Sequence, residues 1–128
     1  MGRKAIFTEN APAPMGAYAQ AVRAGDFVFT SGQLPIDPAL NKVTETSIEG
    51  QSRQVLKNLR EILIKAGGAL EGAVMVRVYL KDLNDLKGMN EVYGEFFGED
   101  PPARMVFEAA RLPGDARIMM DAVAYVKR

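Results

Sequence analysis

Two periodicities divide this chain. From Ala73 to Lys81 the side chains alternate, with Val74, Val76, Val78 and Leu80 on one side and Met75, Arg77, Tyr79 and Lys81 on the other. That pattern predicts a strand in a half-covered sheet. From Ile48 to Ala66 the apolar residues Ile48, Val55, Leu56, Leu59, Ile62, Leu63 and Ala66 recur at helical spacing and form one broad stripe. Thr46-Ser47-Ile48-Glu49 has the form of a capping box at the start of this helix, and Gly67-Gly68 supplies its stop. A second helix is predicted from about Asn84 to Phe97, with Leu86, Met89, Val92, Tyr93, Phe96 and Phe97 as its apolar side. Gly88 and Gly94 weaken it.

Further strands are predicted at Lys4–Thr8, Tyr18–Arg23 and Phe27–Ser31, the last two joined by a hairpin in which Gly25 tolerates positive φ. Leu34-Pro35-Ile36-Asp37-Pro38 interrupts regular structure, and two closing strands, Arg104–Arg111 and Arg117–Val126, flank Leu112-Pro113-Gly114-Asp115. The order βββαβαββ implies a single α+β domain over residues 1–128, a six-strand, mostly antiparallel sheet with both helices on one face. No residues are left to cover the other face, expected to carry Val106, Met119, Val123 and Tyr125 with Arg77, Arg104 and Asp121. A mixed apolar and charged face of this kind implies burial against further copies in a small closed homo-oligomer.

Composition removes several kinds of chemistry. The chain has no histidine and no cysteine, so imidazole bases, thiolate nucleophiles and histidine-ligated metals are excluded. Sixteen basic and sixteen acidic residues cancel, leaving no electrostatic footprint for a nucleic-acid partner. No apolar run reaches the length of a membrane span, the N-terminal stretch lacks the apolar core of a secretory signal, and Ile6 stands where myristoylation after Gly2 would need Ser or Thr. A soluble cytoplasmic protein is the expectation.

The remaining candidate chemistry centres on Pro101-Pro102-Ala103-Arg104. Two prolines stiffen the entrance to a strand in which Arg104, Val106 and Glu108 share a face. A guanidinium so placed can grip a carboxylate with two parallel hydrogen bonds. Ser31, before Gly32 at a strand end, reads as a turn-forming serine and has no base to make it a nucleophile. Arg77 and Arg117 read as ion-paired or solvated.

With these residues in view, the chain resembles the RidA (YjgF) family, also known as L-PSP endoribonucleases and reactive intermediate deaminases. The matching segments are Ala11-Pro12, Gly16-Ala17-Tyr18, Thr30-Ser31-Gly32-Gln33-Leu34-Pro35-Ile36-Asp37, Lys81-Asp82-Leu83-Asn84-Asp85, Pro102-Ala103-Arg104 and Arg111-Leu112-Pro113, in order over essentially the whole chain. The resemblance implies a chorismate-mutase-like subunit assembled as a homotrimer with three intersubunit clefts. It implies hydrolysis of 2-imino or enamino acids to 2-keto acids and ammonia, without metal or organic cofactor. It also implies that Arg104 is the catalytic carboxylate grip and that Tyr18, Ser31, Gly32 and Asn90 line the cleft.

One position departs from the family pattern. Where similar proteins end in Ile-Glu-Ile-Glu-Ala, with the first glutamate positioning water, this chain has Ile118-Met119-Met120-Asp121-Ala122. Met119 becomes an apolar wall, and Asp121, roughly 6.6 Å further along the strand, cannot take over the role. Loss of a general base costs roughly 10²–10⁴-fold where proton transfer limits the rate. Two readings follow: a deaminase weakened by Met119, or a non-catalytic protein that binds 2-keto acids in the same clefts. A third, RNA cleavage or translation inhibition, rests on the family's historical name and is opposed by the balanced charge and missing histidines.

Overall fold

A computed structural model describes residues 2–126; Met1, Lys127 and Arg128, which the single-domain expectation includes, lie outside them. The elements are β1 (Lys4–Ile6), β2 (Ala21–Ala24), β3 (Phe27–Thr30), β4 (Ile36–Asp37), β5 (Lys42–Val43), α1 (Ile48–Lys65), β6 (Ala73–Leu80), α2 (Leu86–Phe97), β7 (Ala103–Glu108) and β8 (Ile118–Tyr125). Six strands form one sheet in the order β1-β2-β3-β8-β6-β7, antiparallel throughout except for the parallel β6–β7 pair at one edge. The expected α+β architecture is therefore present, with α2 as the crossover that makes β6 and β7 parallel. The Pro35–Pro38 region holds a two-strand ribbon, β4–β5, instead of irregular chain.

The core is the layer between the helices and one face of the sheet. Val55, Leu56, Leu59, Ile62 and Leu63 of α1 and Met89 and Val92 of α2 pack on Val28, Val76, Val78, Leu80, Ile118 and Met120, all essentially inaccessible to solvent. Two sequence expectations shift by one residue. Ser47, not Thr46, caps α1, its hydroxyl accepting from the Gly50 N–H at 2.9 Å, so Glu49 closes no capping box. Val74 is exposed because the β6–β8 register slips between Ala73 and Met75, a bulge that moves one residue out of alternation. Gly67, at φ 94°, ends α1 in the left-handed conformation only glycine adopts freely, and Arg23 Nη1 donates to the Ala66 carbonyl there.

The open face carries Phe27, Phe29, Met105, Phe107 and Tyr125, each at least 40% exposed. Arg77 and Asp121 lie among them in a bidentate pair at 2.9 Å, and the Tyr79 hydroxyl donates to Asp121 at 3.2 Å. This bonding raises the Arg77 pKa, and burial raises that of the Tyr79 phenol. One assignment is corrected: Arg104 and Val106 belong to the helix-covered face. Their register partners are Val76 and Val78, so Met105 and Phe107 point to the open side instead. A parallel crossover sets that register through the α2 packing, which strand alternation alone does not reveal.

Candidate functional site

Arg104 lies near the start of the edge strand β7, and α2 fixes its side chain. Its Nη1 donates to Asn90 Oδ1 at 2.8 Å, and the guanidinium carbon sits 4.7 Å from the Tyr93 ring centroid. Asn90 and Tyr93 are three apart on α2, hence neighbours on its surface. Pro101 and Pro102 hold the approach to β7, and with Gly94, Phe97 and Gly98 these residues line a solvent-open cavity of about 360 Å³. The arginine remains exposed at the mouth, while Tyr93 is buried and its hydroxyl has no partner among the described residues. Burial lifts the Tyr93 phenol to about 12, against the opposing pull of the Arg104 charge. The phenol is neutral at any physiological pH. The arrangement is a cation oriented from below by a π face and from the side by an amide oxygen, with N–H groups left for an incoming anion.

The other expected cleft residues cluster elsewhere. Gly32 abuts Met119: a Cβ at position 32 would lie 2.9 Å from the methionine sulfur, so glycine lets the thioether lie against the backbone. Ser31 donates its hydroxyl to the Ala19 carbonyl at 2.6 Å, and its N–H donates to the Gln20 carbonyl at 2.8 Å. The serine thus ties the segment entering β2 to the end of β3 across the hairpin, a contact twelve residues apart in place of the local turn bond expected. Tyr18 is half-exposed, its hydroxyl accepting from the Met15 N–H at 3.2 Å. The loop bearing Tyr18 is anchored by the buried Gln20, which donates to the Thr8, Ala11 and Pro12 carbonyls and accepts from the Thr8 N–H.

Within one chain these two groups do not meet. Arg104 shares a row with Val76 and Ala122, whereas Met119 shares one with Tyr79 and Phe107. They are therefore about 10 Å apart along the strands and about 10 Å apart across two strand spacings, on opposite faces of the sheet. Asn90 alone joins Arg104. Asp121 is engaged by both Arg77 and Tyr79, a second reason it cannot stand in for a glutamate at position 119. Arg77 and Arg117 are ion-paired, the latter with Asp85 at 2.9 Å.

The sequence reading assigned Tyr93 only to the apolar side of α2 and gave Phe97 no part in a site. The available signal was the Asn90-x-x-Tyr93 spacing, which stacks an amide and an aromatic on one helix surface close to a strand-entrance arginine.

Comparison with known proteins agrees with this architecture. The family described as Endoribonuclease L-PSP matches residues 8–126. A RutC family protein of Pyrococcus horikoshii is 51% identical over 123 residues, 96% of this chain and 98% of that protein. The 2-iminobutanoate/2-iminopropanoate deaminase of Salmonella typhimurium is 44% identical over 124 residues, 94% and 96% of the two chains. The crystal structure of Escherichia coli TdcF with bound serine superposes with a TM-score of 0.92 at 36% identity, covering 97% and 99%. The chain belongs to the L-PSP family, the RidA (YjgF) family of the sequence resemblance, and shares its fold.

Proposed function

We propose that this chain hydrolyses reactive 2-imino acids to 2-keto acids and ammonia in clefts between the subunits of a homotrimer. The observation that carries the reading is the Arg104–Asn90–Tyr93 cluster, a pre-oriented carboxylate grip on a chain whose relatives include a named imine deaminase. The intersubunit placement is supported by the separation of Arg104 from Gly32 and Met119 within one chain and by the exposed aromatic face that a neighbour would cover. In the reaction, water adds to C2 of the protonated imine as the C=N π pair moves to nitrogen. One proton then passes from the added oxygen to nitrogen; as the C–N bond breaks, the hydroxyl lone pair forms C=O, ammonia departs, and the remaining hydroxyl proton passes to the departing ammonia or to water. Arg104 neutralises the substrate carboxylate and fixes C2; a charge-assisted bond of this kind contributes about 1.5–3 kcal/mol. The protonated imine is already electrophilic, so placement of water contributes alongside its deprotonation.

A second reading, a 2-keto acid binding protein, is favoured by one observation: Met119 places a thioether where the family glutamate stands. Both readings use the same grip and differ in turnover. The experiment generates an imino acid with an amino-acid oxidase and follows ammonia and keto-acid release. Arg104-dependent acceleration establishes the deaminase; tight keto-acid binding without turnover establishes the binder. Co-assembly tests the cleft itself. Chains carrying both R104A and M119E, mixed with native chains, form clefts that pair Arg104 of one protomer with the substituted position of its neighbour. Activity above that of either parent supports the intersubunit cleft, and a simple average of the parents rejects it. The endoribonuclease description of the family finds no counterpart in this chain's chemistry, which lacks histidine and an excess of positive charge.

A further inference from the structure

The cavity beside Arg104 is graded along its length. Arg104 and Asn90 form a polar end; the Tyr93 and Phe97 rings, 4.5 Å apart, and the Pro101-Pro102 wall form an apolar body. Asn90 and Gly94 are four apart on α2 and Gly98, at φ 65°, caps its end, so this wall presents an amide and then two residues without side chains. A Cβ built on Gly94 or Gly98 meets no atom within 4 Å, which leaves that side of the cavity open. At about 30 Å³ per water-sized group, 360 Å³ holds roughly a dozen such groups, about twice the heavy-atom count of a three-carbon imino acid.

Resting on the Arg104 grip proposed above, we propose that this cavity receives the apolar side chain of the substrate. The chain would then select branched-chain or aromatic 2-imino and 2-keto acids over three-carbon ones. A carboxylate on Arg104 places C2 at the mouth, and a side chain on C3 extends over Gly94 toward Phe97 and Pro101. Each methylene removed from water in that direction tightens binding about fourfold.

Calorimetry on the native assembly with pyruvate and 4-methyl-2-oxopentanoate tests the assignment, alongside R104A, Gly94→Ala and Gly94→Leu. Gly94 is an exposed helical position with no neighbour in the way, so both substitutions leave the fold intact and favour the helix. The expected result is at least about tenfold preference for the branched acid, trimmed by Gly94→Ala and erased by Gly94→Leu, read as the ratio of the two affinities in each variant. Equal binding of the two acids by the native chain, both lost in R104A, would overturn the side-chain subsite while leaving the carboxylate grip standing. A preference that survives Gly94→Leu overturns the subsite as well. If neither acid binds the native protein, the grip and the subsite fall together.

Discussion

The two ends of the proposed cleft are built on different principles. At Arg104 the polar groups are left partly unspent: the guanidinium makes one hydrogen bond and one stacking contact and keeps donors free. Around Gly32 and Met119 they are used up locally or absent. Ser31 is spent on Ala19, Asp121 on Arg77 and Tyr79, and Met119 has no polar function to offer. One region is prepared to hold an anion, while the other shapes space. Under the proposed function, carboxylate binding and water placement are thus physically separable, because Arg104 and Met119 lie on different strands and opposite faces of the sheet.

The largest effect expected from disturbing that contrast is at Met119. M119E restores a carboxylate to the depleted end and is expected to raise imine turnover by about 10²–10⁴-fold with little change in keto-acid affinity. Single-turnover ammonia release checks it; an unchanged rate in a folded variant would mean that the absent glutamate is not what limits this chain. Next is R104A, which removes the prepared end. The loss of about 1.5–3 kcal/mol corresponds to binding weakened by roughly 10–150-fold for 2-keto acids, read by calorimetry. Native-like affinity in that variant would move the carboxylate site elsewhere.

Tyr93 refines the comparison. Y93L keeps an apolar side chain and removes the π face under the guanidinium, with an expected rise in KM of about 2–30-fold from the lost cation–π contact and a much smaller change in kcat. Y93F keeps the ring and is expected to match the native KM, since the hydroxyl has no partner among the described residues. A drop in kcat at constant KM in Y93L would instead assign the ring to the chemistry.

The same ring also sets an alkaline limit on stability, an effect on folding and not on the site. The native state holds the Tyr93 proton up to about pH 12, whereas an unfolded tyrosine loses it near its ordinary 10.0. The stabilisation is complete below pH 10 and disappears as pH rises through 12, because the unfolded chain then binds fewer protons; it amounts to about 2–3 kcal/mol. Urea unfolding between pH 9 and 12 is expected to show a shallower decline in Y93F. Tyr79, also raised, keeps the slope from vanishing.

Much of this organisation was legible from local pattern. The α1 stripe, the Gly25 hairpin, the alternation of β8 and the strand-entrance arginine all follow from periodicity and turn chemistry, which are set by the backbone's own geometry. The six-strand sheet with helices on one face follows from the element order, because a parallel pair needs a crossover and the remaining strands can return as hairpins. The family motifs added Tyr18, Gly32 and Asn90 as cleft candidates, of which the chain itself brings Asn90 to Arg104.

What the sequence left undetermined depended on register and on contacts between distant elements. Alternation shows that Arg104, Val106 and Glu108 share a face, but only the packing of α2 decides that this face is the covered one, against Tyr93. The Ala73–Met75 slip displaced Val74 for the same reason: a bulge is a relation between two strands and leaves no periodic trace in either. The free donors of Arg104 and the spent hydroxyl of Ser31 are likewise facts of partnership. Composition named the groups that could react; the tertiary fold decided which of them remained available, because each hydrogen bond made within the chain withdraws a donor or acceptor from any ligand.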